Sequence, residues 1–188
     1  GLVGSEMCIR DSKKIKLRKL KTEDAEPMLA WMKNPDIYKN MQYNPEEQTL
    51  ERCRVFIENS WTDESNLHFA VTDADERYMG TVSLKNVDHK NSNAEFAIAL
   101  CTEYMGKGIA SAAMAEIMSY AFETLELQKV YLYVRKDNER AVKFYEKMKL
   151  RFEGCFEQHL CVQGEFKDIL WYALKKDEYP AWRANFSE

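Results

Sequence analysis

Cysteine and histidine are too few and too scattered in this sequence to build a metal site or a disulfide framework. Only five cysteines and three histidines occur among 188 residues, and no two cysteines form a Cys-x-x-Cys pair. Structural zinc sites use such paired ligands, and small secreted domains use an even set of cysteines. We therefore expect no metal, no disulfides and a cytoplasmic location.

Long apolar runs and an excess of basic charge are also missing. No apolar stretch approaches the roughly 18 residues that a membrane helix requires. The 27 Lys and Arg residues are balanced by 31 Asp and Glu residues, which gives a formal net charge of −4. This balance argues against binding to a nucleic-acid backbone, and it mildly favours a cationic partner.

The chain has the length and apolar content of a single domain. Hydrophobic residues make up 45% of the sequence, which is enough for one sizeable core. Residues 1–12 share no pattern with the remainder of the chain, so we interpret them as a non-native leader. We assign residues 13–176 to one domain and residues 177–188 to a C-terminal tail, and we leave open whether the chain forms a homo-oligomer.

Hydrophobic periodicity predicts strands and helices along the whole domain. The predicted strands cover residues 14–20, 67–72, 78–85, 96–100, 129–135, 151–161 and 165–174, and the predicted helices cover residues 22–33, 45–60, 108–124 and 139–148. A helix connects the strands at 96–100 and 129–135, so these two should be parallel neighbours. The fold class is therefore α/β (α+β): a mixed, mostly antiparallel sheet with a central parallel pair and helices on both faces.

A glycine loop separates the strand at 96–100 from the helix at 108–124. It contains Gly106, Lys107 and Gly108. Free N–H groups of such a loop and of the first helical turn converge on one point and favour an anion there. Glycine lets the main chain approach that anion closely, and Lys107 adds positive charge. The loop therefore indicates a phosphate or pyrophosphate site, although a Gly-x-Gly sequence also fits an ordinary turn.

The loop resembles the coenzyme-A pyrophosphate loop of the GNAT acetyltransferase superfamily. The family pattern is Arg/Gln-x-x-Gly-x-Gly/Ala, and here it is MGKGIA, with Met105 in place of the usual polar first residue. A second stretch, RKDNERAVKFYEKMKL, resembles the family motif in which an Asn opens a helix and a Tyr follows seven residues later. Asn138 and Tyr145 match it, and Lys149 and Leu150 replace the usual Gly-Phe. The two motifs together, in this order and about 30 residues apart, are far more specific than either alone.

The resemblance implies an acetyl-CoA-dependent N-acetyltransferase that uses the cofactor as a co-substrate. The final stretch GCFEQHLCVQGEFKD is most similar to spermidine N-acetyltransferases and ribosomal-protein N-terminal acetyltransferases. The residues that the resemblance assigns to the cofactor are Ile98, Ala99, Leu100, Met105, Gly106, Lys107, Gly108, Ile109, Ala110, Ser111 and Asn138. Asn138 fits a simple helix N-cap equally well.

Two side chains are candidates for the proton transfers of the reaction. Tyr145 is the candidate acid, because a well-placed phenol can protonate a departing thiolate. Glu95 is the candidate base, because an amine with a pKa of about 10 must lose a proton before it attacks, directly or through water. Glu95 also fits a surface carboxylate or one that only orients the acceptor.

The sequence favours a polyamine such as spermidine as the acceptor. Six acidic and two basic residues lie between positions 46 and 64, which would attract a small polycation. The alternatives are a protein N terminus, as in the ribosomal-protein enzymes, and an amino sugar. A non-catalytic module that binds coenzyme A is the alternative from another class, and the presence of both Tyr145 and the glycine loop argues against it.

Overall fold

The computed structural model describes residues 15–186, so the interpretation of residues 1–12 as a leader lies outside it. Seven strands and six α-helices occur within these residues. The strands are β1 (Lys16–Lys19), β2 (Leu67–Thr72), β3 (Tyr78–Asp88), β4 (Asn93–Leu100), β5 (Lys129–Arg135), β6 (Arg151–Val162) and β7 (Glu165–Lys175). The helices are α1 (Ala25–Met32), α2 (Pro35–Tyr38), α3 (Leu50–Ser60), α4 (Ile109–Ser119), α5 (Glu139–Lys147) and α6 (Tyr179–Ala184).

The strands form one sheet in the order β1-β2-β3-β4-β5-β7-β6. Only β4 and β5 are paired in parallel among the described strands, and every other neighbouring pair is antiparallel. The predicted mixed sheet with a central parallel pair is confirmed.

The two parallel strands separate after a short paired segment. β4 pairs with β5 only through Asn93, Ala94 and Glu95, although β4 continues to Leu100 and β5 to Arg135. β3 covers the other edge of β4 along most of its length. The second half of β4 therefore presents backbone groups to a gap between the two strands.

Two hydrophobic clusters lie on opposite faces of the sheet. Val71 packs in a cluster with Met114 and Ile117 of α4, whereas its neighbour Ala70 packs in another cluster with Ile57 of α3. Successive residues of a strand point to opposite faces, so α4 covers one face and α3 the other. The prediction of helices on both faces is confirmed.

The helix predicted over residues 45–60 begins later than the sequence suggested. Asn44 does accept a hydrogen bond from the Glu46 N–H, at 3.0 Å, but Pro45–Glu47 forms only one 3-10 turn. Gln48 is extended, with φ −80° and ψ 127°. The α-helix starts after Thr49, whose Oγ1 accepts from the Arg52 N–H at 3.2 Å. The chain thus has two N-cap residues in succession, Asn44 and Thr49, and α3 begins after the second one.

The residues assigned to a C-terminal tail contain α6. Trp182 of this helix is only 4% exposed, and its indole N–H donates to the carbonyl oxygen of Met148 at 2.7 Å. This contact fixes α6 beside the end of α5. None of the helices between residues 15 and 186 has the length and apolar character needed to cross a bilayer.

Candidate active site

Two cavities of about 400 Å³ each meet at the second half of β4. We call them the loop cavity, which the glycine loop and α5 line, and the sheet cavity, which β2, β3, β4, α1 and α3 line. Both include Ile98, Ala99 and Met41 in their walls. The two cavities therefore adjoin at this part of β4.

The glycine loop opens directly onto the loop cavity. Gly106 and Gly108 have φ values of +74° and +77°, and a Cβ built on either would meet no atom within 4 Å. These glycines are therefore required by their left-handed backbone and not by lack of space. The first α-helical bond of α4 runs from the Ala112 N–H to the Gly108 carbonyl, at 3.1 Å. The N–H groups of residues 109–111 thus have no partner inside the helix and are free for an anion.

Cationic side chains of α5 line the same cavity. Arg140, Lys143 and Lys147 lie one above the other on the helix, at spacings of three and four residues. Asp36 is the one carboxylate among the lining residues that the structure describes, and it lies 3.5 Å from Lys39. The combination of free N–H groups and three cations suits a polyanionic ligand.

Tyr145 reaches the loop cavity from α5. Its ring contacts Phe96 of β4 edge-on, with the centroids 6.4 Å apart, and lies 6.2 Å from the ring of Tyr172. Burial raises the pKa of Tyr145 to about 12, so the phenol keeps its proton at neutral pH. Asn138 also lines this cavity, and its side chain accepts from the Ala141 N–H at 3.3 Å, as an N-cap does.

The sheet cavity has mainly apolar walls. Its apolar lining consists of Met28, Trp31, Met32, Met41, Cys53, Phe56, Ala97, Ile98 and Ala99. Its polar lining consists of Tyr43, Gln48, Arg52, His68, Thr81, Ser83 and Lys85. No carboxylate occurs among the lining residues in the described part of the chain. An adjoining outer cavity shares Tyr43 and Arg52 with it and adds Glu47 and Glu51.

Glu95 is buried beside Lys85, a lining residue of the sheet cavity, and itself lines neither main cavity. It is 7% exposed, and one carboxylate oxygen lies 2.9 Å from the Lys85 ammonium. The other oxygen accepts from the side-chain amide of Asn86 at 3.0 Å. Both oxygens are thus occupied by protein groups, and a role for Glu95 as the base stays a prediction.

The structure brings most of the sequence-predicted cofactor residues together. Those that line the loop cavity are Ile98, Ala99, Leu100, Met105, Gly106, Gly108, Ala110, Ser111 and Asn138. Lys107 does not line it, and its ammonium lies 6.0 Å from the centre of the Tyr104 ring. Ile109 packs against the hydrophobic core instead.

Sequence reasoning missed the α5 cations and nearly all of the sheet cavity. The spacing of Arg140, Lys143 and Lys147 was a readable signal, because these positions share one helix face. The sheet cavity had no such signal.

In residues 15–186, no group of three or more His, Cys, Asp or Glu side chains lies close enough together to hold a metal ion.

Comparison with known proteins defines the class to which this fold and site belong. A family model described as an acetyltransferase (GNAT) domain matches residues 14–151. The chain belongs to the GNAT acetyltransferase family and is an acetyl-CoA-dependent N-acetyltransferase. The resemblance noted in the sequence is confirmed.

Individual relatives include enzymes that act on polyamines. Spermidine N(1)-acetyltransferase of Escherichia coli is 30% identical over 167 residues, which cover 89% of each chain. A Bacillus subtilis protein whose name marks it as a candidate ribosomal N-acetyltransferase is 36% identical over 100 residues, which cover 53% of this chain and 55% of its own. The crystal structure of a Vibrio cholerae spermidine N-acetyltransferase with CoA and spermine matches with a TM-score of 0.80 and 25% identity, and covers 88% of this chain and 98% of its own.

Proposed function

We propose that this enzyme transfers the acetyl group from acetyl-CoA directly to a primary amine, with the cofactor in the loop cavity and the amine in the sheet cavity. The observation that carries the proposal is the meeting of the two cavities at Ile98 and Ala99. Direct transfer requires the two reactants to be held in contact, and positioning alone supplies a large part of such catalysis. Bound acetyl-CoA supplies an activated thioester.

The loop cavity has groups that fit each part of the cofactor. The free N–H groups of residues 109–111 and the three α5 cations suit its phosphates. The second half of β4, which lacks a β5 partner, offers backbone groups to the polar pantetheine arm. We propose Tyr145 as the acid, because its phenol is protonated at neutral pH and lines this cavity.

We propose a polyamine as the acceptor. Methylene segments of such a chain fit the apolar walls of the sheet cavity, and a distal ammonium fits Glu47 and Glu51 in the outer cavity. The spermidine N-acetyltransferases among the relatives support this choice.

A protein N terminus is the second candidate acceptor. The observation in its favour is the absence of a carboxylate among the described lining residues of the sheet cavity, because a polycation has no buried counter-charge there. An N-terminal amine followed by an apolar side chain would need none.

A panel of amines assayed by release of the coenzyme-A thiol tests the proposal. We expect activity with spermidine and spermine, and a KM that rises with salt, because exposed charges are screened. Glu51→Gln should raise the KM for spermidine about threefold, since an exposed ion pair contributes about 0.2–1 kcal/mol. Glu58→Gln is the matched control, because Glu58 lies on the same helix and lines none of the three cavities.

Different results of this panel reject different parts of the proposal. A preference for N-terminal peptides, with a spermidine KM that is insensitive to salt, would replace the polyamine by the second candidate. An absence of thiol release with every amine would reject the transferase reaction itself.

A further inference from the structure

An amine that reacts in the sheet cavity needs a base within reach, and the residues that line the cavity are the nearest candidates. A primary ammonium has a pKa of about 10 and is mostly charged at neutral pH, so it must lose a proton before attack. The ionisable groups that line this cavity in the described chain are Tyr43, Arg52, Cys53, His68 and Lys85. The candidates among the lining residues can therefore be compared one by one.

Four of the five groups cannot accept a proton at neutral pH. Arg52 and Lys85 are cations, and each is paired with a carboxylate, Glu47 at 3.3 Å and Glu95 at 2.9 Å. Burial raises the pKa of Tyr43 to about 12, and it also raises the pKa of the Cys53 thiol. Both therefore keep their protons and are not basic.

We propose that the imidazole of His68 is the general base, and that Ser83 positions it. His68 Nδ1 lies 2.7 Å from Ser83 Oγ, and the two residues face each other across β2 and β3. Ser83 in turn lies opposite Ala97 of β4, two residues before Ala99 on the same sheet face. The Phe56 ring contacts the imidazole at a tilt, with the centroids 4.7 Å apart. This inference rests on the proposed function and deepens it.

Burial favours the neutral form of His68. Burial lowers the pKa of His68 below its usual range; Asp63 opposes the shift and Lys85 adds to it. Arg52 of α3 adds a second positive charge to the same cavity, next to Phe56. A neutral imidazole at pH 7 is free to take a proton.

The amine nitrogen loses two protons in the proposed reaction, and each is taken up by a named group. In the tautomer in which Nδ1–H donates to Ser83 Oγ, Nε2 has the free lone pair and removes one proton from the ammonium. The neutral amine would then form a bond to the acetyl carbon of acetyl-CoA as the C–S bond of the thioester breaks. Tyr145 would give its phenolic proton to the sulfur of the departing coenzyme A. The second proton lost by nitrogen restores the phenol, and His68 returns its proton to solvent. One proton is released for each acetyl group transferred.

The pH profile of kcat/KM in matched variants tests the assignment. In the wild-type enzyme we expect an acid limb that titrates below about pH 6.5, the usual pKa of histidine, in addition to the limb of the amine. His68→Gln should lower kcat at least 100-fold and abolish the acid limb, because general-base catalysis contributes about 10²–10⁴-fold. Ser83→Ala should lower kcat in the same direction, and Ser83→Thr, which keeps the hydroxyl, should restore it.

Glu95→Gln is the competing variant. If this variant loses the acid limb while His68→Gln keeps it, Glu95 is the base and the inference is overturned. Wild-type kcat in His68→Gln overturns it as well. If His68→Gln does not fold, as judged by its thermal transition, the Ser83 variants test the inference instead. Wild-type kcat in Ser83→Ala would then overturn it. An inactive wild-type enzyme rejects the proposed function. An active wild-type enzyme whose His68→Gln variant has the same kcat rejects the role of His68 alone.

Discussion

Tyr145 combines a packing role with a proposed chemical one, and only the hydroxyl group separates the two. Its ring contacts Phe96 and Tyr172, while its hydroxyl is the group proposed to protonate the thiolate. Tyr145→Phe keeps the ring and removes only the proton donor. We expect kcat to fall about 100-fold or more, with the Kd for acetyl-CoA nearly unchanged, because the proton is used only as the bond breaks. Thiol release and calorimetric titration measure the two quantities.

Tyr172→Phe is the control for this prediction. Tyr172 packs against Tyr145 and does not line the loop cavity, so loss of its hydroxyl should leave kcat as it is. Equal losses in the two variants would mean that the aromatic cluster, and not a proton from Tyr145, determines the rate.

At the scale of elements, the sequence predicted what is encoded locally. Strands β2 and β5 have the predicted bounds, because their alternating apolar residues are bounded by polar turns. The beginning of α3 could not be placed, since Asn44 and Thr49 are both good caps and only tertiary packing selects between them. The short α2 was missed because four residues carry too little periodicity to be read.

The cationic face of α5 gives a prediction at this scale. Lys147 lines the loop cavity, whereas Lys149, two residues later, does not. Lys147→Gln should raise the Kd for acetyl-CoA about fivefold, which corresponds to about 1 kcal/mol, and should weaken its dependence on salt. Lys149→Gln removes the same charge and should leave the Kd unchanged. Equal effects of the two substitutions would indicate general electrostatic attraction in place of a phosphate contact.

At the scale of the whole molecule, the two halves of the candidate site differ in how they are encoded. The loop cavity is built mainly from two continuous motifs, the glycine loop and α5, so the sequence could predict much of it, although the α5 cations were missed. The sheet cavity draws on α1, α3, β2, β3 and β4, whose side chains meet only after the sheet has formed. His68 and Ser83 are 15 residues apart, and it is the hairpin register that makes them partners. No local pattern carries that information.

This division predicts that cofactor binding can be removed without unfolding the protein. Acetyl-CoA at 100 times its Kd should stabilise the fold by about 2.7 kcal/mol and raise the melting temperature by roughly 5–10 °C. Gly108→Val should abolish that rise, because a β-branched residue is strained at φ +77° and would displace the N–H groups of the loop.

Gly164→Val is the matched control, since Gly164 has φ +83°, has equally open space around a Cβ and lies in the β6–β7 turn. Both variants should melt earlier than the wild type without ligand, and only Gly164→Val should keep the acetyl-CoA shift. A full shift in Gly108→Val would show that the loop does not hold the cofactor.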